Sequence, residues 1–267
     1  EESIEISKIY SVSGLLTEKE PLVKIRPFRA PHHTVSVQAL TGGGRRPKPG
    51  EISLATGGIL FLDELPEFSR AALETLRQPL EDREVTVSRV EATVTYPANF
   101  QLVAAMNPCP CGHFPDLARC RCTEGQITRY LQKISGPLLD RIDLCVEASP
   151  VTYGDVRGGG ENEASGAIRA RVEQAREIQK ERFMEENIRC NGEMAGRHIR
   201  KYCVLGKEEE TFMEEIFEKL ALSARMHDRI LKVARTTADL AGESKIRLSD
   251  LCEAVSYVKS REKFWGN

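Results

Sequence analysis

The chain has 267 residues, 40% hydrophobic and 29% charged, which is typical of a globular protein with one large domain or two ordinary ones. Its 38 basic and 40 acidic side chains give a net charge of −2, so nucleic-acid binding would have to depend on local basic patches. No apolar run approaches the ~20 residues that span a bilayer, and the first residues do not resemble a signal peptide. We therefore expect a cytoplasmic protein whose eight cysteines are reduced.

The first part of the chain alternates apolar runs with helical stretches. Residues 28–58 are rich in Gly, Pro and Arg and are expected to be mostly loop and turn with small inserted elements. The continuous apolar run at residues 59–62 predicts a strand of a parallel sheet that is covered on both faces. Residues 69–84 have helical spacing, and Ser69 is the expected N-cap.

A hairpin and a second buried strand are predicted next. Apolar and polar residues alternate at 85–88 and again at 92–96, which predicts two paired strands with a tip at residues 89–91. Residues 100–108 are mostly apolar and predict a strand that ends in Asn107.

The remainder of the chain predicts a bundle of helices. Residues 156–166 are glycine-rich and polar, as in a linker. Apolar residues then recur at helical spacing in four segments, at 167–183, 207–222, 223–242 and 247–258. In the third segment one face is expected to carry Met226, Ile230, Val233 and Leu240. The fourth segment is expected to have Ser249 as its N-cap.

Two carboxylates, Asp63 and Glu64, follow directly after the first predicted strand. Open α/β sheets bind ligands at this edge, and a Walker B motif is built in this way: one acid holds Mg²⁺ and the next polarises the attacking water. A solvent-exposed acidic turn is the alternative. Asn107 ends the next strand, where its amide either holds the attacking water or a γ-phosphate oxygen, or makes an Asx turn before Pro108. No stretch of the chain matches the phosphate-binding pattern G-x-x-x-x-G-K-[ST].

Three arginines are candidates for sensing the γ-phosphate. Arg141 lies between apolar residues in GPLLDRIDL, where it either reaches a neighbouring subunit as an arginine finger or pairs with Asp140 or Asp143. Arg225 lies at the start of a predicted helix and Arg229 one turn later. Each of these two either senses nucleotide or is an ordinary solvated charge.

A compact cysteine cluster has the spacing C-x-C, eight residues, C-x-C, and consists of Cys109, Cys111, Cys120 and Cys122. Four thiolates in one loop suit tetrahedral Zn²⁺, although usual zinc spacing is C-x₂₋₄-C. His113 is an alternative ligand, and a loop of free thiols or a redox pair are alternative interpretations. The other cysteines stand singly and are expected to be small core residues: Cys145, Cys190, Cys203 and Cys252.

Several strings together resemble one known family: FRAPHHTVS, GEISLATGGILFLDELPEF, LRQPLEDREVTVSR, ANFQLVAAMNPCPCG and GPLLDRIDL. From about Ile9 to Val258 the chain resembles the Mg-chelatase-like AAA+ ATPases, in their ComM/YifB branch. The resemblance implies an α/β fold: a partial AAA+ three-layer parallel-sheet core at residues 1–155, a linker and connecting helix at 156–195, and an all-helical lid domain at 196–267. In that family a Walker A loop shortly precedes the segment matching residues 9–16. We therefore expect a C-terminal portion of a longer ATPase, inactive alone.

The resemblance also implies a function. It predicts an ATP- and Mg²⁺-dependent ring motor, a homo-oligomer and expected hexamer, that drives branch migration of single-stranded or branched DNA in natural transformation and recombination. The implied roles are Mg²⁺ binding by Asp63, water activation by Glu64, γ-phosphate sensing by Asn107, and arginine contacts in trans from Arg141 and in cis from Arg225, or from Arg229 in its place.

Two basic segments resemble parts that related ring ATPases direct at nucleic acid. The tip around Arg89 resembles a pore hairpin, and the loop with Arg45, Arg46 and Lys48 resembles the insertion in helix 2 of this clade. Such cations would contact phosphates without reading sequence, unless they are only exposed charges. His32 and His33 are either ligands or part of a polar loop.

Two other functions are weighed against the DNA motor. One is a magnesium-chelatase-like ATPase subunit that drives metal insertion or protein remodelling. The other is a non-enzymatic, zinc-stabilised interaction module. ATP hydrolysis that is stimulated by DNA separates the motor from both.

Overall fold

The computed structural model describes residues 2–88, 92–148, 153–157 and 163–265. The chain forms two compact units, one that ends at Ile142 and one that begins at Asp143. A search of the described residues finds no helix with the length and apolar character needed to cross a membrane.

The first unit contains short helices around small sheets. Its elements are, in chain order, α1 Glu2–Val12, β1 Phe28–Arg29, α2 Val37–Thr41, β2 Gly42–Gly43, β3 Lys48–Pro49, α3 Glu51–Leu54, β4 Ile59–Leu62, a 3₁₀ helix Leu65–Glu67, α4 Arg70–Glu74, α5 Arg77–Asp82, β5 Glu84–Ser88, β6 Thr93–Pro97, β7 Gln101–Ala104, α6 Glu124–Leu131 and α7 Gly136–Leu139. The prediction of loop with small inserted elements before β4 is thereby confirmed.

The second unit is helical. Its elements are α8 Tyr153–Val156, α9 Ser165–Arg182, a 3₁₀ helix Asn191–Glu193, α10 Gly196–Tyr202, α11 Lys207–Lys219, α12 Ala224–Leu240 and α13 Leu248–Trp265. A parallel-sheet core followed by a helical region is the architecture of a partial AAA+ fold, which confirms the predicted fold class. Within the predicted linker at residues 156–166, residues 158–162 lie outside the described residues, and α9 already begins at Ser165.

Three parallel strands form the central sheet in the order β1-β4-β7. Leu60 and Leu62 on β4 are fully buried, so one face carries the core. The opposite face is less covered than predicted: Ile59 and Phe61 are half-buried, and Phe28 on the edge strand is 62% exposed. The reason is that β1 pairs over two residues only, so little of that face is shielded at the sheet edge.

The predicted helix at residues 69–84 is two helices, α4 and α5. Ser69 is the N-cap as predicted, because its hydroxyl accepts the backbone N–H of Ala72 at 3.2 Å. Pro79 explains the break: it has no N–H to donate to the Thr75 carbonyl, so a continuous helix would leave that carbonyl without its partner. Within the first turn of α5 the missing N–H costs little.

The predicted hairpin is confirmed as β5 and β6, which pair Val85 with Tyr96 and Val87 with Val94. Val85, Val87 and Tyr96 are buried. On the other face the hydroxyls of Thr86 and Thr95 hydrogen-bond across the strands at 3.0 Å. The tip with Arg89 lies outside the described residues.

Two details of the helical unit differ from prediction. The buried face of α12 carries Ile230, Leu231, Ala234 and Ala238, whereas Leu240 is 41% exposed because it ends the helix. Helix α13 begins before Ser249, and its first turn is closed instead by Asp250, which accepts the backbone N–H of Arg247 at 2.8 Å.

The single cysteines do not all lie in the core. Cys203 is buried, as predicted, and burial raises the pKa of its thiol to about 11. Cys145 and Cys190 are only partly covered. Cys252 is exposed, because it is rotated by about 100° from Leu251 on α13 and so lies off the face that Leu251, Ala254 and Val255 bury.

Candidate functional site

The two predicted carboxylates lie in a tight turn between β4 and the following 3₁₀ helix. Glu64 has left-handed backbone dihedrals, φ 53° and ψ 46°, and the Oδ1 atom of Asp63 accepts its N–H at 2.8 Å. Both side chains are exposed to solvent. The turn is anchored to β7, because the N–H of Leu65 donates to the Ala105 carbonyl at 3.0 Å. The carboxylates therefore stand at the carboxyl edge of the sheet, where α/β folds bind ligands.

His33 joins this turn. Its Nδ1 atom lies 3.1 Å from a carboxylate oxygen of Glu64, and its ring stands edge-on to Phe68 at 6.4 Å. The sequence left His33 open as a ligand or a loop residue. The signal was its place soon after β1: because β1 and β4 are parallel neighbours, the residues that follow both strands reach the same edge.

Asn107 lies three residues beyond the end of β7 and is exposed. The predicted strand is thus shorter than residues 100–108, and Asn107 lies on the loop that leaves it. Its carboxamide packs beside Gly112, where an added Cβ atom would lie 3.8 Å from the Cγ and Oδ1 atoms of Asn107. The pairing of β4 with β7 brings Asn107 to the same sheet edge as Asp63 and Glu64.

Tyr130, near the end of α6, is a neighbour of this edge that sequence reasoning missed. Burial raises the pKa of its phenol to about 12, and the negative charges of Glu67, Cys109 and Glu64 add to the effect. The Lys133 ammonium lies 5.7 Å from the Tyr130 ring centroid and 3.5 Å from a carboxylate oxygen of Glu67, which places the ring beside the 3₁₀ helix that follows the carboxylate turn. One signal was available: Tyr130 is a large aromatic residue on the first helix after the cysteines.

The four clustered cysteines converge on one point. Their Sγ atoms all lie within 4.8 Å of one another, and those of Cys109, Cys111 and Cys120 are separated by 3.4–3.8 Å. Sulfurs bound at about 2.3 Å to a tetrahedral zinc stand roughly 3.8 Å apart, whereas a disulfide bond is about 2.05 Å long. The arrangement thus fits a tetrahedral metal site, and His113 is not part of it.

Backbone N–H groups surround the sulfurs. Phe114 donates to the Cys109 sulfur at 3.4 Å, and the N–H groups of His113 and Arg121 lower the pKa of Cys111 to about 6. Burial, with a hydrogen bond to Cys111, raises the pKa of Cys122 to about 12. Four sulfurs this close cannot all be thiolates without a cation, because like charges repel. Peptide N–H donors to the sulfurs are the kind of outer-shell support that metal sites use.

Arg141 is held within the first unit. Its guanidinium pairs with Glu81 on α5 and donates to the Pro137 carbonyl at 2.6 Å, so neither Asp140 nor Asp143 is its ion-pair partner here. Only 18% of its side chain is exposed, and its Nε atom has no hydrogen-bond partner within the described residues.

The two candidate arginines of the second unit differ in exposure. Arg229 pairs with Asp143 at 2.7 Å, with 11% of its side chain exposed. Arg225 lies exposed in the first turn of α12.

The basic loop predicted at residues 45–48 is a short hairpin formed by β2 and β3. Arg45, Arg46 and Lys48 are exposed on it. The Tyr96 hydroxyl on β6 donates to the Pro47 carbonyl at 2.7 Å, so the β2–β3 hairpin is tied to the β5–β6 hairpin. Pro47 lies in the turn of the β2–β3 hairpin, so this bond holds the turn that carries Arg45 and Arg46 against strand β6.

The fold and the edge site define the class as a partial AAA+ protein, and comparison with known proteins gives the family. The profile described as magnesium chelatase, subunit ChlI, matches residues 1–156, and that of the ChlI C-terminal region matches residues 162–258. The chain belongs to this Mg-chelatase-like family, as the ComM/YifB resemblance predicted.

Individual relatives fall in the predicted branch. The chain is 50% identical to competence protein ComM of Haemophilus influenzae over 235 residues, which are 88% of the chain and 45% of that protein. It is 45% identical to the uncharacterized protein YifB of Salmonella typhimurium over 258 residues, 96% of the chain and 50% of that protein. The chain therefore spans about half the length of these relatives.

Proposed function

We propose that the chain is the C-terminal part of an ATP-driven ring motor that acts on single-stranded or branched DNA. The observation that carries the proposal is the edge site itself: two adjacent carboxylates and an amide at the carboxyl ends of neighbouring parallel strands. Carboxylate oxygens are the ligands that Mg²⁺ prefers, and the exposed Asp63 can offer one to a nucleotide-bound ion. Family membership favours ATP and Mg²⁺ as cofactors.

Each residue of the edge has a distinct role in this proposal. Asp63 would bind Mg²⁺, and Glu64 would polarise the attacking water. Asn107 would orient that water or a γ-phosphate oxygen. The contact of Glu64 with His33 fits this scheme, because a carboxylate held at one position needs less ordering before it accepts a proton.

Arginine contacts would complete the site. In a ring, Arg141 would reach the γ-phosphate of the neighbouring subunit, and Arg225 or Arg229 would sense it within its own subunit. Because no stretch of the chain supplies a P-loop, we assign hydrolysis to the full-length protein.

The joined hairpins support DNA as the substrate. Three exposed cations at one turn can neutralise phosphates without reading bases, and a hexameric ring would direct six such turns at its channel. Arg89, which lies outside the described residues, would add a further phosphate contact. The name of the Haemophilus relative, competence protein ComM, agrees with a role in DNA uptake and recombination, and we propose branch migration as the activity.

We further propose that the cysteine cluster holds one structural Zn²⁺. Tetrahedral geometry and a pure sulfur ligand set are typical of structural zinc. Free thiols agree with a cytoplasmic location, where disulfides are rare.

The test is ATP hydrolysis by the full-length protein with and without single-stranded and branched DNA. We expect DNA to raise the rate severalfold, and Glu64→Gln to abolish turnover while ATP still binds. Glu67→Gln is the matched control, since it removes a nearby exposed carboxylate that pairs with Lys133 instead. Turnover that survives Glu64→Gln would refute the Walker B assignment.

Metal insertion is the second candidate, because the matching profile is named for a magnesium chelatase subunit. Hydrolysis that is indifferent to DNA but depends on a porphyrin-binding partner would favour it. Hydrolysis indifferent to both would favour protein remodelling.

A further inference from the structure

We infer that the four-cysteine cluster positions Asn107 and Tyr130 against the Glu64 turn, so that metal binding there sets the rate of ATP hydrolysis. The inference rests on the proposed ATPase function. It assigns the metal site a part in turnover, beyond stabilising its own loop.

The order of the residues along the chain connects the cluster to both β7 and α6. Cys109 follows Asn107 by two residues, so the first C-x-C pair belongs to the loop that leaves β7. Cys122 directly precedes Thr123, the N-cap of α6, whose side chain accepts the N–H of Gln126 in a capping box. One ion shared by the two pairs would therefore fasten the exit of β7 to the entrance of α6.

Residues on both sides of the cluster lie beside the catalytic edge. Gly112, inside the loop, has φ 78° and packs beside the Asn107 carboxamide. At the far end of α6, the Lys133 ammonium lies 5.7 Å from the Tyr130 ring centroid and 3.5 Å from a carboxylate oxygen of Glu67, in the 3₁₀ helix that follows Glu64. The residues that a metal would fix thus lie beside the proposed hydrolytic site.

Removal of the metal would also destabilise the loop that carries the cysteines. Without a cation, repulsion among the sulfurs opposes ionisation, and the loop at residues 109–122 loses the cross-link that closes it. Asn107 then samples more orientations, and misplacement of a positioning group by about 1 Å can cost roughly 10²-fold in rate. Nucleotide affinity depends mainly on phosphate contacts elsewhere, so the loss should appear in kcat rather than in KM.

The main experiment compares full-length wild type with Cys120→Ser, Asn107→Ala and the double variant. Bound zinc is measured by elemental analysis, and Co²⁺ is added to metal-free protein to record the thiolate-to-cobalt absorption band. We expect wild type to bind one ion per chain and to show the band, and Cys120→Ser to lose both. We expect kcat for Cys120→Ser to fall about tenfold or more, with KM for ATP within about twofold.

The double variant separates positioning from general damage. If the metal acts through Asn107, the double variant should be no slower than the slower single variant, since the two changes remove one function. Rates that multiply would overturn the inference. Cys252→Ser is the matched control, because it changes an exposed cysteine outside the cluster and should leave zinc content and kcat unchanged.

A second arm covers a Cys120→Ser protein that fails to fold, as judged by its thermal transition. Wild type is then stripped with a zinc-selective chelator in excess Mg²⁺ and resupplied with Zn²⁺. Loss of kcat with a native thermal transition, and its return with Zn²⁺, would support the inference. Absence of bound zinc, or an unchanged kcat after its removal, would overturn it. Hydrolysis that survives Glu64→Gln would instead overturn the proposed function, whatever the metal result.

Discussion

Glu64 has a strained backbone at the position proposed for water activation. A left-handed backbone is unusual for a non-glycine residue and costs of order 1–3 kcal/mol, so the surrounding structure must hold it. Here the support comes from the Asp63 carboxylate, the Ala105 carbonyl that accepts the neighbouring N–H of Leu65, and the imidazole of His33. The supported turn keeps the exposed Glu64 carboxylate at the carboxyl edge of the sheet, beside His33.

Asp239 is the centre of a buried polar network in the helical unit. Only 1% of it is exposed, and it pairs with Arg182 and with Arg235, which is itself 2% exposed. Asn191 donates to the same carboxylate at 2.7 Å. Arg235 also donates to the carbonyls of Glu243 and Ser244, which close the turn after α12. Two guanidinium groups thus share one carboxylate, and their remaining N–H groups donate to backbone carbonyls and to the Asn191 carboxamide oxygen. The network joins α9, α12 and the loop that follows.

At this residue we predict that Asp239→Asn destabilises the protein. Removing the carboxylate leaves two guanidinium groups without their buried counter-charge, which typically costs about 3–5 kcal/mol. Urea unfolding followed by circular dichroism measures the change. Glu177→Gln, in an exposed pair with Lys180, should cost less than about 1 kcal/mol. Equal effects of the two substitutions would contradict the importance of the buried network.

At the scale of elements, the two hairpins of the first unit form a single supported surface. The β2–β3 hairpin is short, and two paired residues on each strand cannot hold it in place alone. The hairpin is anchored by the hydrogen bond that the Tyr96 hydroxyl donates to the Pro47 carbonyl. Tyr96 itself is buried on β6, so the anchor is firmly held. The exposed cations therefore stand on a fixed base.

For this element we predict that Arg45→Ala combined with Arg46→Ala weakens DNA binding by the full-length protein. Loss of two phosphate contacts should lower affinity for all sequences alike and reduce the slope of log K against log salt by roughly 1.4–1.8. Binding is measured by fluorescence anisotropy over a salt series. Arg169→Ala with Arg176→Ala on α9 is the charge-matched control. The same loss of affinity in that control would point to net charge as the cause.

At the scale of the whole molecule, the proposed ring depends on Arg141, which would link the active sites of neighbouring subunits. In the single chain its guanidinium is occupied by Glu81 and Pro137. An arginine finger would have to exchange these partners for a phosphate of the neighbouring subunit, at modest cost because the Glu81 side chain is 47% exposed.

We predict that full-length Arg141→Ala and Glu64→Gln are each inactive alone and regain ATP hydrolysis when mixed. In mixed rings some interfaces combine an intact Glu64 from one subunit with an intact Arg141 from the next. The rate is measured against mixing ratio. Each variant alone, at the same total protein concentration as the mixture, serves as the control. Mixtures that stay inactive would show that Arg141 acts within its own chain.

Local patterns in the sequence determined much of this protein. The apolar run before Asp63, the alternation around residues 85–96, the Ser69 cap and the helical spacing of the second unit each follow from short-range rules, because side-chain periodicity reports which face is buried. The cysteine spacing is likewise a short-range pattern. The break between α4 and α5 could also have been predicted, because Pro79 is visible in the sequence.

Only the tertiary structure decided which distant residues meet. Strand pairing brought His33 to Glu64, the return of α6 brought Tyr130 to the same edge, and Glu81 took the place of Asp140 and Asp143 beside Arg141. The buried network of Asp239 likewise joins residues from three segments. Such contacts depend on how elements pack. The sequence cannot reveal them, because a charged residue in a helical segment gives the same local pattern whether it faces solvent or a buried counter-charge.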